Sequence, residues 1–427
     1  MTDSFAASGR QDDDTRGLLA EARRLLPGII AVRRAIHRAP ELDLHLPRTQ
    51  QTVLRALDGL GLTVRTGVRL SSVVATLEGA RPGRTVLLRA DMDALPQHEE
   101  TGLAFASEVP GVMHACGHDT HVAMLVGAAR LLAARREELS GRVVFMFQPA
   151  EESGGGAQHM IDEGVLATPD GRGVDAAFAL HIATRFETGT VHLRPGPMFA
   201  AADQLRLTVH GRSGHASAPQ LALDPVPVAC EMVQALQTMV TRTVSVFDPA
   251  VVTVAAIRAG TTTNIIPDAA EILGTFRTLS PATRQVMRAG IARVAHHVAA
   301  AHGASVDVQL TEGYPPVVND PVFAGHVHDT ATAVLGPARV QRLPEPSMGA
   351  EDFSYVLRRV PGAMAFLGAR PDGVPPEGAA DCHSSRVVFD EDALAAGAAL
   401  HAAVAVRHLS GASRPPRDGR HRSDGVV

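Results

Sequence analysis

The chain's 427 residues give room for one large or two medium domains, and a composition of 45% hydrophobic and 20% charged residues is that of an ordinary globular protein. Forty basic against 45 acidic residues leave a net charge of −5, and with no Trp and two Tyr the basic clusters and stacking rings of a nucleic-acid binder are missing. No apolar run is expected to reach the ~18 residues of a membrane span, and the polar N-terminus with Asp12, Asp13 and Asp14 is unlike a secretion signal. Three scattered cysteines, Cys116, Cys230 and Cys382, are too few for a disulfide framework and point to a reducing compartment, the cytoplasm. Twenty histidines hint at metal chemistry, although the count alone fits surface histidines equally well.

Residues 1–16 and 410–427 read as disordered tails, the second rich in Pro, Arg, Ser and Gly. Between them, residues 18–38 and 49–60 have helical periodicity, and the second helix should stop at Gly61. Residues 73–77 and 85–90 are short aliphatic or β-branched runs, the second apolar enough for a strand buried on both faces. A helix over 122–139 and strands over 142–147 and 176–180 continue the alternation. This rhythm predicts an α/β domain with a mixed, mostly parallel sheet and helices on both faces.

The pattern changes near residue 200. Residues 204–210 alternate like a half-buried strand, 224–243 read as a helix, 251–259 and 270–279 as strands, 280–301 as a helix and 305–310 as a strand. Helices beside an antiparallel sheet describe a smaller, inserted α+β domain. The α/β rhythm resumes after Gly313 and runs to about Leu409. The expected organisation is one domain in two segments, 17–198 and 312–409, interrupted by another over 199–311.

Open α/β sheets bind ligands beyond the carboxyl ends of their strands, and four such places carry unusual residues. The strand at 85–90 runs into Asp91-Met92-Asp93, that at 142–147 into Gln148-Pro149-Ala150-Glu151-Glu152, and that at 176–180 into His181. Before a helix beginning near Asp119 lies Met113-His114-Ala115-Cys116-Gly117-His118-Asp119-Thr120-His121. Cys116 and His118 could place a thiolate and an imidazole on one ion; a lone Cys-x-His is more often a small buried side chain beside a helix-end histidine. Glu151 and Glu152 repel each other after a buried strand unless something positive lies between them. A metal would do that, with one Glu as ligand and the other as general base; two exposed acids at a loop start are the plain alternative. His181, and His383 in Asp381-Cys382-His383-Ser384, complete a set of one Cys, three His and one Glu that suits two ions.

These segments resemble the metallo-amidohydrolase branch of the aminoacylase/carboxypeptidase family, which includes hippurate hydrolases, auxin-conjugate hydrolases and N-acetyl-diaminopimelate deacetylases. The likeness rests on residues 34–42, 88–96, 113–121, 148–152, 211–216, 264–267, 274–277, 348–353 and 383–384, in the expected order along 17–409. The resemblance implies a catalytic domain built from two chain segments and an inserted ferredoxin-like lid through which a homodimer forms. It implies that Cys116, His118, Glu152, His181 and His383 bind two divalent ions, that Glu151 is the general base, and that Asp93 supports the metal site from behind its ligands. His215, on the lid, would reach the partner subunit's site and stabilise the oxyanion. Asn264 and Arg277 would hold the substrate carboxylate, for which the Arg fork is suited. The implied reaction is metal-dependent cleavage of an N-acyl amino acid into a carboxylic acid and a free amino acid. Mixed S, N and O donors accept zinc, manganese, cobalt or nickel.

The sequence departs from the family pattern in two places. Asp43-Leu44-His45-Leu46-Pro47 stands where an aromatic residue and a second glutamate are expected, and Cys382 beside His383 adds a competing ligand or a small buried side chain. A catalytically silent dimeric binding protein on the same scaffold is the alternative reading, disfavoured by retention of Glu151 with the full donor set. A zinc deaminase would need a Pro-Cys-x-x-Cys, and the chain has none.

Overall fold

The computed structural model describes Thr15 and residues 17–411, so most of both expected tails lies outside the described residues. The first segment holds α1 (Leu18–Arg38), α2 (Pro47–Leu57), β1 (Thr63–Thr66), β2 (Val73–Glu78), β3 (Arg81–Asp91), α3 (His118–Ala133), β4 (Ser140–Gln148), α4 (Gly156–Asp162), β5 (Ala176–Glu187), β6 (Val191–Leu193) and β7 (Gly196–Phe199). The inserted block holds β8 (Ala201–His210), β9 (Gly214–His215), α5 (Pro225–Thr243), β10 (Ala250–Ala259), β11 (Ile265–Ile266), β12 (Ala269–Thr278), α6 (Pro281–Ala301) and β13 (Ser305–Thr311). The chain then returns as β14 (Val317–Asn319), α7 (Pro321–Leu335), β15 (Val340–Arg342), α8 (Ser354–Leu357), β16 (Gly362–Arg370) and α9 (Ala393–Ser410).

Helix starts follow local chemistry. Asp224, Ser280 and Asp320 each accept a hydrogen bond from a backbone N–H of the first turn, and each is followed by a proline at the first helical position. Pro47 likewise opens α2 two residues before the expected start. The helix expected over 122–139 begins instead at His118 and ends at Ala133, with a short 3-10 turn at Arg136–Glu138.

The large sheet has eight strands in the order β1-β2-β4-β3-β5-β16-β6-β15. Its centre is parallel, β4 to β3 to β5 to β16, with antiparallel pairs at the β1 and β2 edge. Period-two alternation sends Leu88, Phe145 and Phe178 to one face, under α1, α3 and α9, and Leu87, Met146 and Ala177 to the other, against α4 and α8. Both faces are therefore core, as the apolar runs imply. One departure from expectation bears on the site: β5 does not end at Leu180 but continues to Glu187. Its pairing with β3 stops at Ala179, whereas pairing with β16 carries on to Glu187. His181 thus sits just past the point where β3 parts from β5.

By length and composition α9 could cross a membrane, with a mean hydropathy of 1.2 over 18 residues. It is instead the central core helix, 83% of that window being buried, largely against α1, α3 and α7.

In the inserted block, β8, α5, β10, β12, α6 and β13 follow one another as a βαββαβ unit, with sheet order β10-β12-β8-β13 and all pairs antiparallel. That is the ferredoxin-like arrangement. One face is apolar, with Leu207, Ile272 and Phe276 fully buried beneath α5 and α6. Burying a side chain of that size stabilises the unit by roughly 2–3 kcal/mol. The lid joins the rest of the chain at two adjacent crossings. There Arg284 forks onto the buried Asp203, Gly313 N–H donates to Asp203 at 3.0 Å, and Ala202 N–H donates to the Tyr314 carbonyl at 3.1 Å. A side chain at Gly313 would meet the Ala202 carbonyl oxygen at 1.9 Å, so only glycine fits this crossing.

Candidate metal centre

Three neighbouring strands, one helix start and the loop between β16 and α9, which carries His383, deliver the donors to one place. β3 and β4 end side by side, Asp91 in register with Gln148, which puts Asp93 next to Glu151 and Glu152. The Glu151 and Glu152 N–H groups donate to the two oxygens of the Asp93 carboxylate, at 2.9 and 3.0 Å. Asp93 therefore fixes the direction of both glutamates. Between Cys116 and His118 the chain turns through Gly117 at φ 83°, where an added Cβ would lie 2.4 Å from the Ile182 side chain. That tight turn lets both flanking side chains reach the site.

Around Cys116 two donor sets share one sulfur. Cys116, His118 and His181 offer donor atoms that all lie within 4.8 Å of one another, and so do Cys116, Glu152 and His383. A third set, His118, Glu151 and Glu152, links them. The Cys116 Sγ lies 3.5 Å from His181 Nε2, and Glu152 Oε1 lies 3.3 Å from His383 Nε2 and 3.8 Å from His118 Nε2.

The rings are oriented for ligation. His118 Nδ1 donates to the Asp93 carbonyl at 2.8 Å and His181 Nδ1 to the Ile182 carbonyl at 2.7 Å. A carbonyl can only accept, so each Nδ1 carries the proton and each Nε2 lone pair faces the site. His118 Nε2 and Glu152 Oε1 are buried without a hydrogen-bond partner. Orphaned buried acceptors are costly unless something satisfies them, and a divalent cation with thiolate, imidazole and carboxylate ligands fits both.

The charge distribution agrees. Although burial opposes it, the Asp91, Asp93 and Glu152 carboxylates push the His118 imidazole up to about 10, which measures how strongly the site favours positive charge. His181 is pulled down to about 3 by burial and by His121, so it stays a neutral ligand. Burial, followed by Glu351, Glu152 and Asp352, raises Glu151 well above the usual carboxylate range. Against the same burial, His383 and His118 hold Glu152 below its ordinary value. Of two adjacent glutamates, one stays an anion and the other readily holds a proton.

Beneath the donors lies a cluster not expected from the sequence. Arg89, fully buried in β3, donates to Gln148, Asp91, Glu351 and Asp352 at 2.9, 2.6, 2.8 and 3.0 Å. His121 donates to Asp91 at 2.5 Å and accepts from the Ile182 N–H at 2.8 Å, tying β3 to the strand that carries His181. Tyr314 donates to the Glu151 carbonyl at 2.5 Å. Two signals could have exposed this layer. An arginine in a run of buried apolar residues must have partners, and Glu351-Asp352 repeats the adjacency of Glu151-Glu152.

The donors floor a cleft of about 680 Å³. Arg277 reaches into it from β12 and donates to the Met348 carbonyl at 3.3 Å. The other two lid residues are not brought there. His215 and Asn264 sit together on the exposed β9 and β11 ribbon, where Ala216 N–H donates to the Asn264 carbonyl at 3.1 Å, and neither lines this chain's cleft.

Residues 87–407 match peptidase family M20/M25/M40. The chain belongs to that family and is a hydrolase, as the resemblance in its motifs implied. It is 40% identical over 394 residues to thermostable carboxypeptidase 1 of Saccharolobus solfataricus, covering 91% of this chain and 97% of that one. It is 37% identical over 367 residues to N-acetyl-L-cysteine deacetylase of Bacillus subtilis, covering 86% and 84%. The crystal structure of the Bacillus subtilis YXEP protein, a dinuclear metal binding peptidase from the M20 family, superposes with a TM-score of 0.79 at 34% identity, covering 91% of this chain and 99% of that chain.

Proposed function

We propose that the protein is a metal-dependent amidohydrolase that cleaves an N-acyl amino acid into a carboxylic acid and a free amino acid. The observation that carries the reading is the pair Glu151 and Glu152: one is in the donor set with His383 and Cys116, the other is buried beside it, raised in pKa and open to the same cleft. Two divalent ions, with Cys116, His118, Glu152, His181 and His383 as ligands, would supply Lewis-acid activation of water and of the scissile carbonyl. Zinc, manganese, cobalt and nickel all suit this mixture of donors.

Glu151 takes the proton of the attacking water and returns it to the leaving nitrogen, a cycle that needs a carboxyl of raised affinity for protons. Asp93 holds Glu151 and Glu152 in register by their backbone amides. Arg277 meets the substrate carboxylate at the cleft wall. His215 and Asn264 serve the cleft of a second subunit, the first as oxyanion donor and the second on the substrate carboxylate. Their position away from this chain's cleft, and the edge strand β10 with Val251 and Ile257 exposed, support a homodimer through the lid. Three free cysteines fit the cytoplasm. Nothing in the site favours a silent scaffold, since the base and every donor are present.

The test is hydrolysis of a panel of acetyl-, benzoyl- and indoleacetyl-amino acids by protein loaded with each metal, with Glu151→Gln alongside. The expected result is metal-dependent release of free amino acid that falls at least ~100-fold in the variant. A chain that binds no metal, or a variant as fast as wild type, overturns the reading.

A further inference from the structure

We infer that Cys116 and Cys382 form a hydroperoxide-sensitive thiol pair that closes to a disulfide across the metal donor set. The inference rests on the proposed role of Cys116 as a ligand for its consequence, and on geometry alone for the bond itself.

Cys116 and Cys382 both line the cleft. The backbone holds them there. His383 N–H, which directly follows Cys382, donates at 2.8 Å to the carbonyl of Ala115, which directly precedes Cys116. One strand segment borders both sulfurs: Cys116 Sγ lies 3.5 Å from His181 Nε2, and Cys382 Sγ lies 3.8 Å from the Ile182 carbonyl. Their segments are therefore docked against each other before any bond forms. Exposure differs within the pair. Cys116 is buried and Cys382 is partly open to the cleft, so a small oxidant meets Cys382 first.

The chemistry balances in two steps. The Cys382 sulfur attacks the distal oxygen of a hydroperoxide, the O–O bond breaks, and the thiol proton leaves with the alkoxide as an alcohol. Cys382 is now a sulfenic acid. The Cys116 sulfur then displaces its hydroxyl group, the S–S bond forms, and the hydroxyl departs with the Cys116 proton as water. Two thiols lose two electrons and two protons, and one hydroperoxide becomes alcohol and water. Thiol–disulfide exchange with a small thiol reverses the bond. A disulfide sulfur is no longer a thiolate ligand, so both donor sets lose the sulfur they share.

The test uses the full chain, freed of metal by a chelator, treated with hydrogen peroxide, alkylated and digested without reductant. The expected product is a peptide pair joined through Cys116 and Cys382 and lighter by two hydrogens, with Cys230 alkylated and dithiothreitol restoring all three thiols. Cys382→Ser yields no such pair and keeps Cys116 alkylatable. Recovery of Cys116 as a free thiol, as a sulfinic or sulfonic acid, or joined to Cys230, overturns the inference. Zinc added first, at about 100 times its Kd, should slow the cross-link roughly 100-fold through the fraction of free protein. Equal rates with and without zinc overturn the consequence drawn for the ligand. Because the cross-link is read by mass, it stands or falls separately from hydrolysis of any N-acyl amino acid.

Discussion

His118 on the floor of the cleft and His215 on the lid ribbon are the same side chain in opposite settings. His118 is buried, its Nδ1 is bound to the Asp93 carbonyl at 2.8 Å, and its ring stands 5.4 Å from that of His121, which is itself tied to Asp91. His215 is exposed, and its ring bonds to Ser217, two residues along the chain. On the floor, His118, His181, Glu151 and Glu152 are each held by a contact outside the donor set, and the charge beneath is balanced inside the protein. On the ribbon, a single residue two positions away holds the ring. Substitutions below the cleft should therefore disturb folding and charge together, whereas those on the ribbon should disturb rate alone.

The largest expected effect is at Arg89. Arg89→Met leaves Asp91, Glu351 and Asp352 buried without their common cation, and removing one partner of such a cluster costs about 3–5 kcal/mol. Urea unfolding measures it, and an unchanged midpoint would break the contrast outright.

A second effect is visible in pH. His37 is buried between Asp119 and Glu99, at 2.9 and 3.2 Å. Burial opposes its charge, but Asp119 and then Glu99 prevail and raise it from 6.5 to about 9. The folded state therefore holds this proton more tightly than the unfolded chain does. The resulting stability, roughly 3 kcal/mol, is complete below pH 6.5 and is lost as pH rises through about 9. His37→Gln should flatten the fall in unfolding free energy over that window; an identical pH profile would show that His37 does not carry it.

On the lid side, His215→Ala should lower kcat about 100-fold, the usual scale for an oxyanion donor, while thermal unfolding stays where it was. A shifted midpoint would mean that the ribbon is structural after all. The smallest effect belongs to Tyr314, whose hydroxyl donates to the Glu151 carbonyl and accepts from Gly155 N–H at 3.1 Å. Tyr314→Phe should cost about 1 kcal/mol, some fivefold in kcat, with KM unchanged. A change confined to KM would place Tyr314 in substrate contact instead.

Much of the fold was legible because its signals are local. The helix read over 18–38 has those bounds in the structure, and Asp224 and Ser280 cap the helices they were expected to open. The alternation in β8, β12 and β13 reports a sheet with one buried face. The donors at strand ends were visible because Cys, His and paired Glu are unusual there. What could not be seen depends on distant parts of the chain. Arg89 reads as a blemish in an apolar strand until Glu351 and Asp352, 262 and 263 residues away, arrive beside it. β5 outruns its apolar run because β16 is there to pair with it, and α9 has the composition of a membrane helix because three other helices enclose it. In neither case does the local sequence say which neighbour is there.

The junction between lid and floor has a consequence for how such a molecule can be built and rebuilt. Asp203 and Gly313 are 110 residues apart in sequence and joined by a hydrogen bond. A chain that returns to its point of departure closes a loop of any length at nearly the same entropy. The lid is thus an exchangeable cassette: a short glycine turn in its place leaves the large sheet and its donors uninterrupted, and a different cassette between the same two anchors can present new side chains to an unchanged floor.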